Sequence, residues 1–143
     1  MRLPCMTEPN EQYAYFTVAG DFDPAQISLA VEVEATERWI KGELNPKTQL
    51  QRRCNRWSLY SRLARSCSLE SHIGDVLDQL DANRERFSEI AFKYGACMQV
   101  VAYFKTEYPG LHLEFLTLNR LACYGLSLDC DFYFLYSDSR EDS

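Results

Sequence analysis

The period of the hydrophobic pattern changes twice along this chain, and this limits the fold more than any other feature. Apolar residues alternate near both ends and recur at helical spacing in the middle. From Tyr13 to Gly20 the sequence is dense in aromatic and β-branched residues, which predicts a strand. Leu69, Ile73, Val76, Leu77 and Leu80 fall on one stripe of a helix capped by Ser68. From Leu126 to Tyr136 the alternation returns. There Leu126, Leu128, Cys130, Phe132 and Phe134 oppose Ser127, Asp129, Asp131 and Tyr133. Both periods in one short chain call for a sheet with helices packed on it.

The segments between fill in the order. Asp23 before Pro24 is a helix-start signal, and 25–31 then buries Ile27, Ala30 and Val31. Residues 35–44 predict a second strand and Asn45-Pro46-Lys47 a turn. A third strand over 54–63 turns Trp57 and Leu59 to the core. Asp81 can cap a second central helix, with Phe87, Ile90, Ala91 and Tyr94 inward and Gly95 as its left-handed terminator. Residues 96–106 are a strand, Pro109-Gly110 a turn, 111–115 a short strand and 117–124 a short helix. The order β-α-β-β-α-α-β-β-α-β predicts a single α+β domain: a largely antiparallel sheet packed with two central helices and two short ones. At 143 residues and 46% hydrophobic content, the chain can bury one core. The domain is expected over 12–136, between polar tails at 1–11 and 137–143.

Several function classes lack their signatures. No apolar run approaches the ~18 residues of a membrane span. The first twelve residues hold no apolar leader core, so a cytoplasmic location is expected. Six cysteines without Cys-x-x-Cys spacing, beside only two histidines, disfavour zinc and fit reduced, mostly buried thiols. No Gly-rich phosphate loop, Gly-x-Ser-x-Gly elbow or His-Glu-x-x-His occurs. His72, with Asp75 three residues on, and Cys67, just before a helix cap, could suggest a dyad. Nothing in the sequence completes it, and structural roles are expected for both. No catalytic group and no cofactor is therefore assigned.

The net charge of -6 hides a segregation. Residues 38–65 carry eight basic residues and one acid, and the flanking stretches are strongly acidic. In this block Arg38, Lys41, Arg53 and Arg56 are interleaved with Trp39, Trp57 and Tyr60. Arginine forks beside aromatic platforms could hold a small anion such as a nucleotide or phosphorylated metabolite. An acidic chain repels nucleic acid at long range, so no nucleic-acid partner is expected. Asp129 and Asp131 share one strand face about 7 Å apart. A lone Asp-x-Asp lacks the further oxygens that calcium or magnesium needs. Asp21 and Asp23 are turn and cap residues.

Phe22-Asp23-Pro24, Trp39-Ile40-Lys41-Gly42 after Thr36, Trp57-Ser58-Leu59, the helix from Leu69 to Leu80 and the closing 125–133 stretch carry a resemblance. Together they resemble a bacterial family of small domains of unknown function, over about 13–136. The resemblance implies a cytoplasmic bacterial protein without assigned chemistry, some members being immunity proteins that neutralise toxins.

Two functions follow as expectations. The first is a non-catalytic binding protein of the immunity type, whose acids mimic the substrate of a basic toxin or effector and steer association. Its interface candidates are Glu32, Glu34, Asp75, Asp78 and Asp81, with Glu85, Glu89, Asp129 and Asp131. The second is an anionic-ligand module built on the basic, aromatic block. A homodimer through an exposed edge strand is a further possibility.

Overall fold

The computed structural model describes residues 10–105 and 110–135. Its elements are β1 (Glu11–Gly20), α1 (Pro24–Val31), β2 (Glu37–Trp39), β3 (Asn55–Tyr60), α2 (Leu69–Leu80), a 3-10 turn (Asp81–Asn83), α3 (Arg84–Tyr94), β4 (Cys97–Phe104), α4 (Phe115–Cys123) and β5 (Ser127–Phe134). The strands form one sheet in the order β2-β3-β1-β4-β5. Three pairings are antiparallel, while β4 and β5 are parallel, with α4 on the crossover between them. The protein is a single α+β domain. No helix among the described residues is long and apolar enough to cross a membrane.

The core lies on one face of the sheet. Ala14, Phe16 and Val18 of β1, Trp57 and Leu59 of β3, and Met98, Val100 and Ala102 of β4 point to it. The α2 stripe covers them with Leu69, Ile73, Val76, Leu77 and Leu80, all buried as their spacing predicts. Phe16, Trp57 and Phe87 meet in edge-on and tilted contacts at 5.5 to 6.0 Å. The Trp57 indole N–H donates to Ser28 Oγ at 2.9 Å, which ties β3 to α1 and satisfies a buried donor.

Local signals set the helix ends. Asp23 accepts from the Ala25 N–H at 3.0 Å, and Ser68 from the Ser71 N–H at 3.1 Å. Gly95 ends α3 at φ 77°, a left-handed conformation that side chains with a Cβ resist.

Several expected elements differ. The strand expected over 35–44 shrinks to β2, because the backbone folds away at Ile40. Its N–H bonds Glu43, the Lys41 N–H bonds Asn55 Oδ1, and Gly42 takes φ 95°. The third strand stops at Tyr60, where Ser61 and Arg62 turn to bond His72 and Asp75. Asp81 does not cap α3, which begins three residues later behind the 3-10 turn; its carboxylate faces α4 instead. The strand expected at 111–115 is absent: the Glu114 N–H bonds the Glu70 carboxylate at 2.6 Å and α4 starts at Phe115. In α1 Ser28 takes the inward place expected of Ala30, which is exposed. The expected tails fall mostly outside the described residues, as does Pro109, and Glu11 already belongs to β1.

Candidate functional site

The helices leave the other face of the sheet uncovered by any element among the described residues. Strand alternation puts a distinct set of side chains there, and the pairing register arranges them in rows. One row runs Glu37, Ser58, Thr17, Cys97 and Ser127 from β2 to β5. The next holds Tyr60, Tyr15, Gln99 and Asp129. Then come Tyr13, Val101 and Asp131, followed by Glu11, Tyr103 and Tyr133.

The rings form two stacks. Tyr15 and Tyr60 lie 4.3 Å apart at 11°, with Tyr13 5.7 Å from Tyr60. Tyr103 and Tyr133 stack at 5.0 Å. The Arg65 guanidinium sits over the Tyr13 ring at 4.1 Å. Tyr60 donates to Glu37 at 3.0 Å; burial, then this carboxylate, raise its pKa well above the ordinary phenol value. Burial, then Tyr103 and Tyr15, push Tyr13 up to about 12. Both phenols are therefore neutral at physiological pH, suited to hydrogen bonding and stacking rather than to acting as bases.

Polar groups knit the floor between the rings. Thr17 and Ser58 hydroxyls share a hydrogen bond of 2.9 Å, and Arg56 donates to Thr17 at 2.8 Å. Gln99 donates to Asp131 at 3.0 Å. Arg56 lies on β3 and Asp129 and Asp131 on β5, while the carboxylates of Glu37 and Glu11 stand on β2 and β1 of the same face.

The basic, aromatic block is not gathered into one pocket. Trp57, expected there, is fully buried in the core and cannot present its ring to a surface ligand. Register puts Trp39 and Arg56 on the open face, whereas Arg38, opposite Trp57, is on the helix side. Arg52 already covers the Trp39 ring at 3.6 Å. Lys41 and Arg53 are exposed on the loop between β2 and β3. Arg38 lines a shallow groove of about 460 Å³ together with Glu32 and Glu34, so that groove is of mixed charge.

Nor do the nine acids form one patch. Asp75, Asp78 and Asp81 lie on the helix layer and are bound by arginines of this chain. Asp75 pairs with Arg62 at 2.7 Å, and Asp78 and Asp81 each meet Arg120 at 2.9 Å. The Arg62 hydrogen bonds hold the Asp75 carboxyl below the usual range. Burial pushes Asp81 up, but bonds from Tyr124 and Arg120 outweigh it and leave the pKa lowered. Glu89 pairs with Arg86 at 3.3 Å. Glu85, on the same helix, and Glu32 and Glu34 are exposed. Asp129 and Asp131 stand on the opposite face, and neither has a cationic partner among the described residues.

No catalytic constellation assembles among the described residues. His72 is fully buried, and its Nε2 faces the Ala64 carbonyl at 3.0 Å. A carbonyl only accepts, so Nε2 carries the proton and Nδ1 accepts from the Ser61 hydroxyl at 2.6 Å. Burial lowers the His72 pKa, and Asp75 binds Arg62 rather than this ring. His112 is exposed and pairs with Glu114 at 3.0 Å, in the irregular segment before α4. No group of three metal-ligating side chains occurs among the described residues. The described cysteines are unbridged, as expected, but none is fully buried; Cys123 and Cys130 are exposed.

Sequence reasoning had not singled out Tyr13, Tyr15, Tyr103 or Tyr133. Their signal was present in the strand parity: Tyr13 and Tyr15 alternate with Ala14 and Phe16, and Tyr133 shares its face with both aspartates.

The molecule is thus a two-layer α+β domain with one sheet face lined by tyrosine and left open by the described residues. The chain belongs to the family described as Domain of unknown function (DUF4279), whose model matches residues 10–135. No curated protein and no solved structure matches it.

Proposed function

We propose that this protein is a non-catalytic binding protein of the immunity type, which neutralises a bacterial toxin by covering it. The observation that carries this reading is the open sheet face, with stacked tyrosines at its centre and Asp129 and Asp131 along its β5 edge. Tyrosine and arginine dominate the energetics of protein interfaces, because they bury large area at low entropy cost and keep polar tips. Five strands spaced ~4.8 Å apart, from three to ten residues long, give a footprint on the order of one standard epitope. Asp129 and Asp131, which have no cationic partner among the described residues, add the charge that steers a basic partner. The cytoplasm, where such a toxin acts on its host, is the compartment this reading requires.

Co-expression with the product of each neighbouring gene that is toxic when expressed alone tests the proposal. The wild-type chain should restore growth, and a Tyr15→Glu, Tyr60→Glu variant that still folds should not. Failure of the wild-type chain to protect, with no complex formed, overturns the reading.

A further inference from the structure

We infer that the outer edge of β5 accepts an extended segment of the partner protein, one that alternates apolar and basic residues and adds a sixth strand to the sheet. The inference rests on the protein-binding reading above and specifies how the partner is held.

Three observations carry it. First, β5 ends the sheet order, and among the described residues no strand lies beyond it. Its ladder to β4 begins with the Ser127 N–H on the Ala96 carbonyl, and the Leu135 N–H on the Phe104 carbonyl continues it. Odd-numbered residues therefore bond inward, and the backbone groups of Leu128 and Cys130 point outward. Second, β5 is less covered than its neighbour, although Leu128 and Phe132 pack against the core. Its parallel neighbour β4 is buried along most of its length, whereas Cys130, Asp129 and Asp131 are all exposed. A strand laid alongside would cover the apolar side of Leu128 and Cys130. Third, Asp129 and Asp131, on either side of Cys130 in the sequence, face the open side with no cation among the described residues, although Asp75, Asp78 and Asp81 each have an arginine. Cross-strand neighbours lie about 4.5–5.5 Å apart, or 7–8 Å on the diagonal, so lysine or arginine on the incoming strand would meet these carboxylates directly.

A second copy of this chain fits the edge badly. Antiparallel self-pairing centred on Cys130 sets Asp129 opposite Asp131 of the other copy, twice. Sliding the register to Leu128 or Phe132 still leaves like carboxylates on the diagonals. Two chains of charge -6 also repel. A basic, alternating strand removes that conflict and makes main-chain hydrogen bonds in the manner of strand addition.

The probe is a ten-residue peptide of alternating lysine and valine, compared with one of alternating glutamate and valine. Amide exchange by NMR reads the edge of the full chain. Expected is slowed exchange of the Leu128 and Cys130 amides on adding the lysine peptide, with at least tenfold weaker binding of the glutamate peptide. The Asp129→Lys, Asp131→Lys variant should invert that preference. Cys130→Pro, which removes an outward N–H at an edge-strand position where proline is tolerated, should weaken binding of the lysine peptide. Protection elsewhere, none at millimolar peptide, or equal binding of both peptides overturns the inference. So does protection that rises with protein concentration alone, which would assign the edge to a second copy. If the toxin is neutralised while the edge variants and the peptides have no effect, this inference fails and the binding reading stands. If no toxin is bound, the reading itself fails.

Discussion

The two faces of the sheet are made by the same strands, residue by residue, yet they are built for different ends. On the helix side, Phe16, Trp57 and Met98 are wholly buried and their only polar need, the Trp57 N–H, is met by Ser28. On the open side, Tyr15, Tyr60 and Tyr103 remain half-exposed, with hydroxyls, a guanidinium and carboxylates among them. One face holds the fold together; the other is held in place by it. Under the binding reading, truncation on the helix side should cost stability, and truncation of the partly exposed tyrosines on the other side should cost binding more than stability.

The sharpest way to break this contrast is truncation on either face. Trp57→Ala or Phe87→Ala removes a fully buried ring from the centre of the core and should cost about 3–5 kcal/mol. Tyr15→Ala removes a stacked but partly exposed ring and should cost less, within the ~0.5–3 kcal/mol of an ordinary substitution. Urea titration of the three variants checks the order. An equal loss from Tyr15→Ala would mean that the open face is structural.

The next largest effect is a dependence on pH that belongs to the helix side. Burial lowers the His72 pKa, so the unfolded chain, with an ordinary histidine near 6.5, takes up the proton first. Acid therefore favours unfolding. Stability should fall as the pH drops below about 6.5, with a slope approaching ~1.4 kcal/mol per pH unit at most. Asp75 and Asp81 have lowered pKa values, so their contribution is present above about pH 4 and is lost below it. Both effects have the same sign. Denaturation of His72→Gln across pH 7 to 5 should show a flatter profile than the parent. Tyr124→Phe takes one hydrogen bond from Asp81 and should cost about 1 kcal/mol.

Much of this contrast is legible in the sequence, and its limits have physical causes. The α2 stripe, the Asp23 and Ser68 caps, Gly95 and the alternation of β4 and β5 are local signals, and local signals persist when tertiary structure forms. The shortened β2 and the missing strand before α4 are not local. They depend on a side chain from a distant segment: Asn55 capturing the Lys41 N–H, and Glu70 capturing that of Glu114. Charges misled for the same reason. Asp75, Asp78 and Asp129 look alike in the sequence, but two of them meet arginines 13 and 42 residues away. Trp57 lies in a basic stretch and still belongs to the core, because parity outranks the company of charged neighbours. The tyrosines of the open face were hidden because aromatic density in a strand signals burial, and only the pairing of β1 with β3 and β4 brings them together.

The smallest expected effect on stability separates the acids of the two layers most cleanly. Asp75→Asn weakens a two-point bond to Arg62 and leaves a largely covered amide beside it, so some stability should be lost. Asp129→Asn with Asp131→Asn removes two carboxylates that have no cation among the described residues and stand next but one on an exposed strand. Their mutual repulsion goes with them, so stability should change by less than about 0.5 kcal/mol and could even rise. Binding should respond in the opposite order: the pair on β5 should slow association with a basic partner and reduce its salt dependence, while Asp75→Asn should leave the rate unchanged. Stopped-flow association at two ionic strengths, beside thermal melts of the same variants, measures both. Should Asp75→Asn govern the rate instead, the helix layer would be the docking surface and the division between the two faces would be drawn the wrong way round.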